Sequence, residues 1–444
     1  MKALIIVFII AFFNGYYMNR IKKEGYKSMN ILELLEFNFK LFLINLSGLT
    51  DINRFGSILL ENLTNDTILV KLNRRLQKKY GEIVSTYILT KSHYHYILDA
   101  KLAKQILNDS PQLFGPGRLK NKFFSEFMPL NLGISRCNDV NKCPWKKRRE
   151  FNEDALGSNF MTPFYLCIDS LVDKSISEPL LKIDDFKIFS YRLAADSIYG
   201  IKEGDEYANL LKTFMNSIGD HLLTSKFYKN YKDNLQQEYK IAPECSLLNY
   251  ANIYRNECPN AIDDQIPHWF APFIFMFSFL IPNLLCVILN FKDIHSKILT
   301  ELDDFDLLSK ETYLHYCVIE HIRLFNTINI NLHREVEKDM DYHGYSFKQG
   351  DQLFMGFANI LRDETLFKNP DEYNPDRWLN KPIEEQNIVF GIGPQQCPSR
   401  NISPVYYKAI IYNLLKKYDY KVIQPKLKNR ELYFINPYNI KFMT

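Results

Sequence analysis

Apolar and polar positions are unevenly distributed along this chain, and their spacing predicts several elements. Between Ile402 and Tyr418 the apolar residues recur at helical intervals. A second helical run extends from Tyr313 to Leu324, and there Glu320 and Arg323 are neighbours on one face. Ile83 to Leu89 alternates apolar and polar residues, the period of a half-buried strand. From Trp269 to Leu289 the chain is almost wholly apolar, long enough to cross a bilayer. Pro272, Pro282 and Asn283 weigh against that reading and favour a buried core helix, which the prolines would disturb.

The N-terminus, Ala3 to Met18, is a further apolar stretch, near the lower limit for a membrane span. A cleaved signal peptide competes with this reading, although no small-x-small cleavage site closes the stretch. Tyr16 and Tyr17 suit the membrane interface. Arg20, Lys22, Lys23 and Lys27 follow them, against Lys2 alone before, so the body is expected to face the cytoplasm from a single-pass anchor. The sequons at Asn45, Asn62, Asn65 and Asn401 are then expected to be unmodified, since such triplets arise by chance in an Asn-rich chain.

Length changes the picture little. A chain of 444 residues can bury a large core, and no Gly/Ser-rich linker, repeat or low-complexity block divides it. The expected organisation is an anchor at 1–19, a weakly patterned connection at 20–69 and one large body at 70–444, mostly helical. A net charge of +4 is small for this size and gives no reason to expect a nucleic-acid partner. The eight cysteines show no Cys-x-x-Cys pair suited to zinc. A disulfide framework is not expected in so large a chain, and most cysteines are read as reduced, buried small hydrophobes.

The densest chemical signal is Phe390-Gly-Ile-Gly-Pro-Gln-Gln-Cys397. Alternate glycines followed by proline let the backbone turn tightly and approach a flat ligand. Cys397 then precedes the helix predicted from Ile402, where the helix dipole favours thiolate over thiol. A free cysteine in an ordinary turn fits this loop alone equally well.

The loop resembles the haem-binding segment of the cytochrome P450 superfamily, Phe-Gly-x-Gly-x-Arg-x-Cys-x-Gly, through Phe390, Gly391, Gly393 and Cys397. Gln395 stands where the family has arginine, and Ser399 where it has the last glycine. Glu320-His-Ile-Arg323 resembles the family's Glu-x-x-Arg. The run from Phe367 to Trp378, with Arg377, is similar to its Pro-x-x-Phe-x-Pro-x-Arg-Phe stretch. Trp145-Lys-Lys-Arg-Arg149 fits the family's Trp-x-x-x-Arg, and His333-Arg334 falls where it places another propionate-binding arginine. The resemblance covers about residues 70 to 440, with Lys101 to Leu107 as a B-helix-like segment and a C-terminal strand region from Tyr420 to Phe442.

That resemblance implies a mainly α fold with small β-sheets and haem b held by an axial thiolate from Cys397. It implies propionate contacts from Trp145, Arg149 and Arg334, and loop contacts from Phe390, Gly391, Gly393 and Gln395. It also implies a structural triad of Glu320, Arg323 and Arg377. The activity implied is monooxygenation of a hydrophobic small molecule with electrons from an NADPH-dependent flavoprotein reductase. Leu113 to Met128 and roughly Leu210 to Leu248 are candidate substrate lining.

One family element is missing. The acid and alcohol pair that delivers protons above the iron should fall near Pro272 to Met276, and none of its polar residues is there. Between Phe270 and Ile281 the single hydroxyl is Ser278, leaving Ser278 and Met276 as the candidate catalytic positions that the resemblance implies. Peroxide use, rearrangement of a substrate hydroperoxide, or a haem-binding protein without catalysis are the alternatives this departure raises.

Overall fold

A computed structural model describes residues 26–30, 32–37, 70–87, 93–116, 145–157, 162–200, 245–249, 269–270, 272–325, 332–433 and 435–444. The expected anchor, Leu210 to Leu248 up to residue 244, and the part of Leu113 to Met128 beyond residue 116 lie outside those residues. The chain divides into two compact units. The first comprises residues 1–121, 326–371 and 391–396; the second comprises 122–325, 372–390 and 397–444.

The first unit is built on a five-stranded sheet. Its strands are β1 (Ile83–Tyr87), β2 (His93–Ile97), β3 (Phe114–Gly115), β4 (Leu332–Val336) and β7 (Gln352–Met355), in the order β1-β2-β7-β4-β3. Only the β2–β7 pair is parallel, with His95 opposite Leu353. Period-two alternation sorts the side chains. Tyr96 and Phe354 take one face and stack, centroids 5.5 Å apart, over a core of Met29, Phe37, Leu72, Leu76 and Val84. Leu72 and Leu76 come from helix α1 (Val70–Tyr80). On the other face, His95 packs edge-on against Phe347, which belongs to the hairpin of β5 (Met340–Tyr342) and β6 (Tyr345–Phe347). Helix α2 (Ala100–Asn108) is started by Asp99, whose carboxylate accepts the Leu102 N–H at 2.7 Å.

The second unit is predominantly helical. Helices α3 (Trp145–Gly157), α4 (Thr162–Ser175) and α5 (Ile183–Tyr199) precede an apolar helix, α6, running from Pro272 to Asn290. After it come α7 (Lys292–Leu299), α8 (Tyr313–Phe325) and α9 (Ile402–Lys417), and a two-stranded ribbon of β8 (Lys421–Gln424) and β9 (Lys441–Met443).

Helix α6 is mostly buried, as a core helix would be. Pro272 does not end the helical backbone, since Trp269 and Phe270 before it and Phe273 after it are helical. Pro282 does not break it either. The turn Met276–Leu280 widens to a π-helix, and the Ile281 N–H reaches back to the Met276 carbonyl. The disturbance expected from the prolines is thus absorbed locally. Tyr406 of α9 lies 5.1 Å from the Phe273 ring and 5.3 Å from Phe277, which packs α9 on this helix.

The cysteines depart from expectation at one pair. Cys167 on α4 and Cys245 are joined as a disulfide with their Cα atoms 5.9 Å apart, an ordinary span for such a bond. Seventy-eight residues separate them, so no spacing rule could pair them. Among the described residues Cys286, Cys317 and Cys397 are free.

Candidate active site

Cys397 ends a closed loop. Its N–H donates to the Phe390 carbonyl at 2.8 Å, a bond that spans the six residues between them. The short 3-10 turn Pro398–Arg400 follows directly and leads into α9, so the cysteine does precede a helical segment. The thiol is half-buried and its Sγ lies 3.1 Å from the Ser399 Oγ. Ser399 Oγ is in turn 3.1 Å from the Ser403 Oγ. Where the family pattern has glycine, this chain therefore sets a hydroxyl beside the sulfur.

A cationic cluster stands on the same unit. Arg149 of α3 is buried and pairs with Glu153 one turn on, and Glu153 also accepts Arg400 at 2.6 Å. Burial pushes the Arg149 guanidinium down. Glu153 pulls it back up and Cys397 adds to that pull, while Arg400 opposes it. Trp145 begins α3, but its side chain lies outside the described residues. Glu153 and Arg400 did not stand out in the sequence as a linked pair; the i, i+4 spacing of Arg149 and Glu153 was the available signal.

Gly391 to Gln396 belong to the first unit. Gly391 and Gly393 have φ of +105° and +76°, the left-handed region that favours glycine. At Gly393 a Cβ would fall 2.3 Å from the Leu107 carbonyl oxygen. The close approach at this glycine is to the backbone of α2. Gln396 locks the loop through its N–H to the Gly393 carbonyl and its amide to the Gly391 carbonyl, each at 3.0 Å. The Gln395 Oε1 is buried and has no hydrogen-bond partner among the described residues.

Arg334 on β4 is wholly buried. Its Nε donates to the Ser110 Oγ at 3.0 Å and its Nη1 to the His333 carbonyl at 2.8 Å. Among the described residues no carboxylate pairs with it. Burial lowers it to about 10. A buried cation held by neutral acceptors is costly unless an anion completes the site.

Glu320, Arg323 and Arg377 meet in the second unit. Arg323 donates from Nε and Nη2 to the two Glu320 oxygens, both at 2.8 Å, and Arg377 Nε reaches Glu320 Oε1 at 3.0 Å. Trp378 Nε1 donates to Glu320 Oε2 at 2.9 Å, and the Asn374 N–H to Oε1 at 2.8 Å. Burial alone would push the Glu320 carboxyl up, but Arg323 and Arg377 hold it below its ordinary value. The contribution of Trp378 was not anticipated, because an indole donor has no spacing signature.

Met276 and Ser278 both sit in the π turn of α6 and are buried. The Ser278 Oγ has no hydrogen-bond partner among the described residues.

Comparison with known proteins identifies this architecture. Residues 292–442 match the family model Cytochrome P450. Psoralen synthase from Pastinaca sativa is 29% identical over 128 residues, 28% of this chain and 27% of that enzyme. The mitochondrial cholesterol side-chain cleavage enzyme of Hypanus americanus is 29% identical over 133 residues, 29% of this chain and 26% of its own length. The aligned stretch thus spans about a quarter of those relatives. Retinoic acid-bound cyanobacterial CYP120A1 superposes with a TM-score of 0.66 at 16% identity, over 87% of this chain and 96% of that one. A zebra fish cytochrome P450 with abiraterone gives 0.64 at 13% identity, over 80% and 92%.

Over residues 292–442 this chain is similar to the cytochrome P450 family. Its fold is the mostly helical P450 fold with small sheets. The family's cofactor is haem with a cysteine thiolate as axial ligand. In the second unit, the half-buried thiol of Cys397 at the start of a helical segment is a donor that fits that group.

Proposed function

We propose that this protein is a haem-thiolate oxidoreductase, a monooxygenase of hydrophobic small molecules, with Cys397 as the axial ligand. The observation that carries the reading is Cys397 itself, held by its N–H on Phe390 and set at the start of a helical segment. When bound, a thiolate-ligated haem supplies the capacity to cleave an O–O bond and oxidise an unactivated C–H bond. The protein's part is to hold, orient and shield.

Arg334 is assigned to one haem propionate, since it is the buried guanidinium for which no described carboxylate compensates. Arg149 and Trp145 are assigned to the other, one helical turn apart on α3. Phe390, Gly391, Gly393 and Gln395 shape the loop on the sulfur side. The Ser399 hydroxyl, 3.1 Å from the Cys397 sulfur, is proposed to tune the electron density that the sulfur passes on. The Glu320, Arg323 and Arg377 set is structural and touches no reacting atom.

Residues 3–18 are proposed as the membrane anchor of a catalytic body at 70–444, with the body on the cytoplasmic side. Electrons are proposed to come from an NADPH-dependent flavoprotein reductase.

One observation favours a second reading, peroxide-dependent oxidation or hydroperoxide rearrangement. Helix α6 carries no carboxylate from Pro272 to Asn290, and its Ser278 hydroxyl is buried in the π turn. Proton delivery to a distal oxygen therefore lacks its usual acid.

The carbon monoxide difference spectrum of the dithionite-reduced protein tests the common core. A red-shifted thiolate Soret band, lost in Cys397→Ser, is expected; a histidine-type band, or the same band in the variant, would remove Cys397 from the iron. Turnover with reductase and NADPH against turnover with peroxide alone then separates the two readings. Met276→Thr is expected to raise the fraction of NADPH oxidation that yields product if the first is correct, and to leave it unchanged if the second is.

A further inference from the structure

The face of the first unit's sheet opposite Tyr96 carries a buried cluster unrelated to the haem donors. His93 and His95, two residues apart on β2, point to the same face, and Asp351, just before β7, meets them there. His95 Nε2 lies 3.3 Å from Asp351 Oδ2, and His93 Nδ1 lies 3.5 Å from Oδ1. The three ligand atoms all fall within 4.8 Å of one another, and all three residues are buried.

We propose that His93, His95 and Asp351 form a structural site for a divalent metal of zinc type, independent of the haem. Two imidazoles and one carboxylate are a ligand set that zinc takes readily. Bonds of about 2.05 Å to nitrogen and oxygen put tetrahedral ligands about 3.3 Å apart, the separation of His95 Nε2 from Asp351 Oδ2, while His93 Nδ1 lies 3.5 Å from the other carboxylate oxygen, Oδ1. The fourth position is left to water.

The surroundings fit as well. His95 Nδ1 is 2.7 Å from the Ser85 Oγ, so donation of its N–H to that hydroxyl leaves Nε2 unprotonated toward the metal. Asp351 accepts the Lys348 N–H at 2.8 Å, which orients the carboxylate. The Tyr26 ring, 4.6 Å from that of His95, and the Phe347 ring, 5.4 Å from it, pack against the imidazole and fix its orientation.

Charge balance gives the physical reason for a cation here. Among the described residues Asp351 has no ion-pair partner other than these two histidines. A buried carboxylate calls for a compensating positive charge. The compensation is a divalent ion, or a proton on one ring.

The experiment separates these. The full chain in detergent is stripped with a chelator, dialysed against zinc, and assayed for zinc, iron and protein by plasma mass spectrometry. Stoichiometric zinc beyond the iron is expected, falling at least tenfold in His95→Gln and in Asp351→Asn. The zinc absorption edge of the unmodified chain should report nitrogen and oxygen neighbours only, a measurement that stands even if the variants do not fold. The thermal midpoint of the unmodified chain should rise with zinc relative to chelator. Zinc below a tenth of an equivalent would mean a protonated histidine balances Asp351. Sulfur in the shell, or zinc kept equally by both variants, would place the ion elsewhere; either result overturns the proposal.

Discussion

Glu320 and Arg323 are joined by two hydrogen bonds of 2.8 Å, with both side chains wholly inaccessible to solvent. An ion pair in that position is retained for what its loss would do. Glu320→Ala leaves Arg323 buried and takes an acceptor from Arg377, Trp378 and the Asn374 N–H at once. A loss of about 3–5 kcal/mol in unfolding free energy is expected, measured by denaturant titration. A loss below ~1 kcal/mol would show that the pair is compensated from elsewhere.

Gly393 tests the loop geometry. Alanine there must adopt a φ of +76° and place a Cβ against the Leu107 carbonyl. The left-handed backbone alone costs about 1–2 kcal/mol for a non-glycine residue. Gly393→Ala is expected to keep its far-ultraviolet circular dichroism and to retain markedly less haem after gel filtration. Full haem occupancy would mean that the α2 backbone yields.

Arg334 yields a prediction of two opposite signs. Arg334→Met removes a buried cation, so the haem-free chain should resist denaturant better than the unmodified haem-free chain. The same change should speed haem transfer to an apo-globin acceptor, because a propionate loses its partner. Both measurements moving in the same direction would detach Arg334 from the cofactor.

Acid stability follows from two histidines on α8. Burial lowers both His315 and His321 to about 3. Between that value and the ordinary 6.5 the unfolded chain binds protons that the folded chain does not, so stability rises with pH across this window and is lost as pH falls through it. Each site contributes up to ~1.4 kcal/mol per pH unit. Unfolding free energy measured from pH 7 to 4 should fall steeply, and His315→Asn should flatten the slope by about one proton's worth. An unchanged slope would mean that His315 titrates in the folded state.

Much of the fold was legible because periodicity records which faces are buried. The run from Tyr313 to Leu324 is helix Tyr313–Phe325, and the run from Ile402 to Tyr418 is helix Ile402–Lys417. The alternating stretch from Ile83 is a strand to Tyr87. Pro282 misled, since a sequence shows the missing N–H but not the π turn that makes it harmless. The reduced state expected of the cysteines failed at Cys167 and Cys245. Residues 78 apart on the chain are brought together only by how their segments pack.

The sequence by itself determined the helices, the cysteine loop and the charged pair at 320 and 323, because each depends on residues a few positions apart. Tertiary structure decided what long-range placement controls: that Glu320 also receives Arg377 and Trp378, that Arg334 is buried on neutral acceptors, and that Asp351 meets His93 and His95. Local spacing constrains dihedral angles and faces. It carries no information on which distant face will supply the partner, and that partner sets burial, charge balance and hence chemistry.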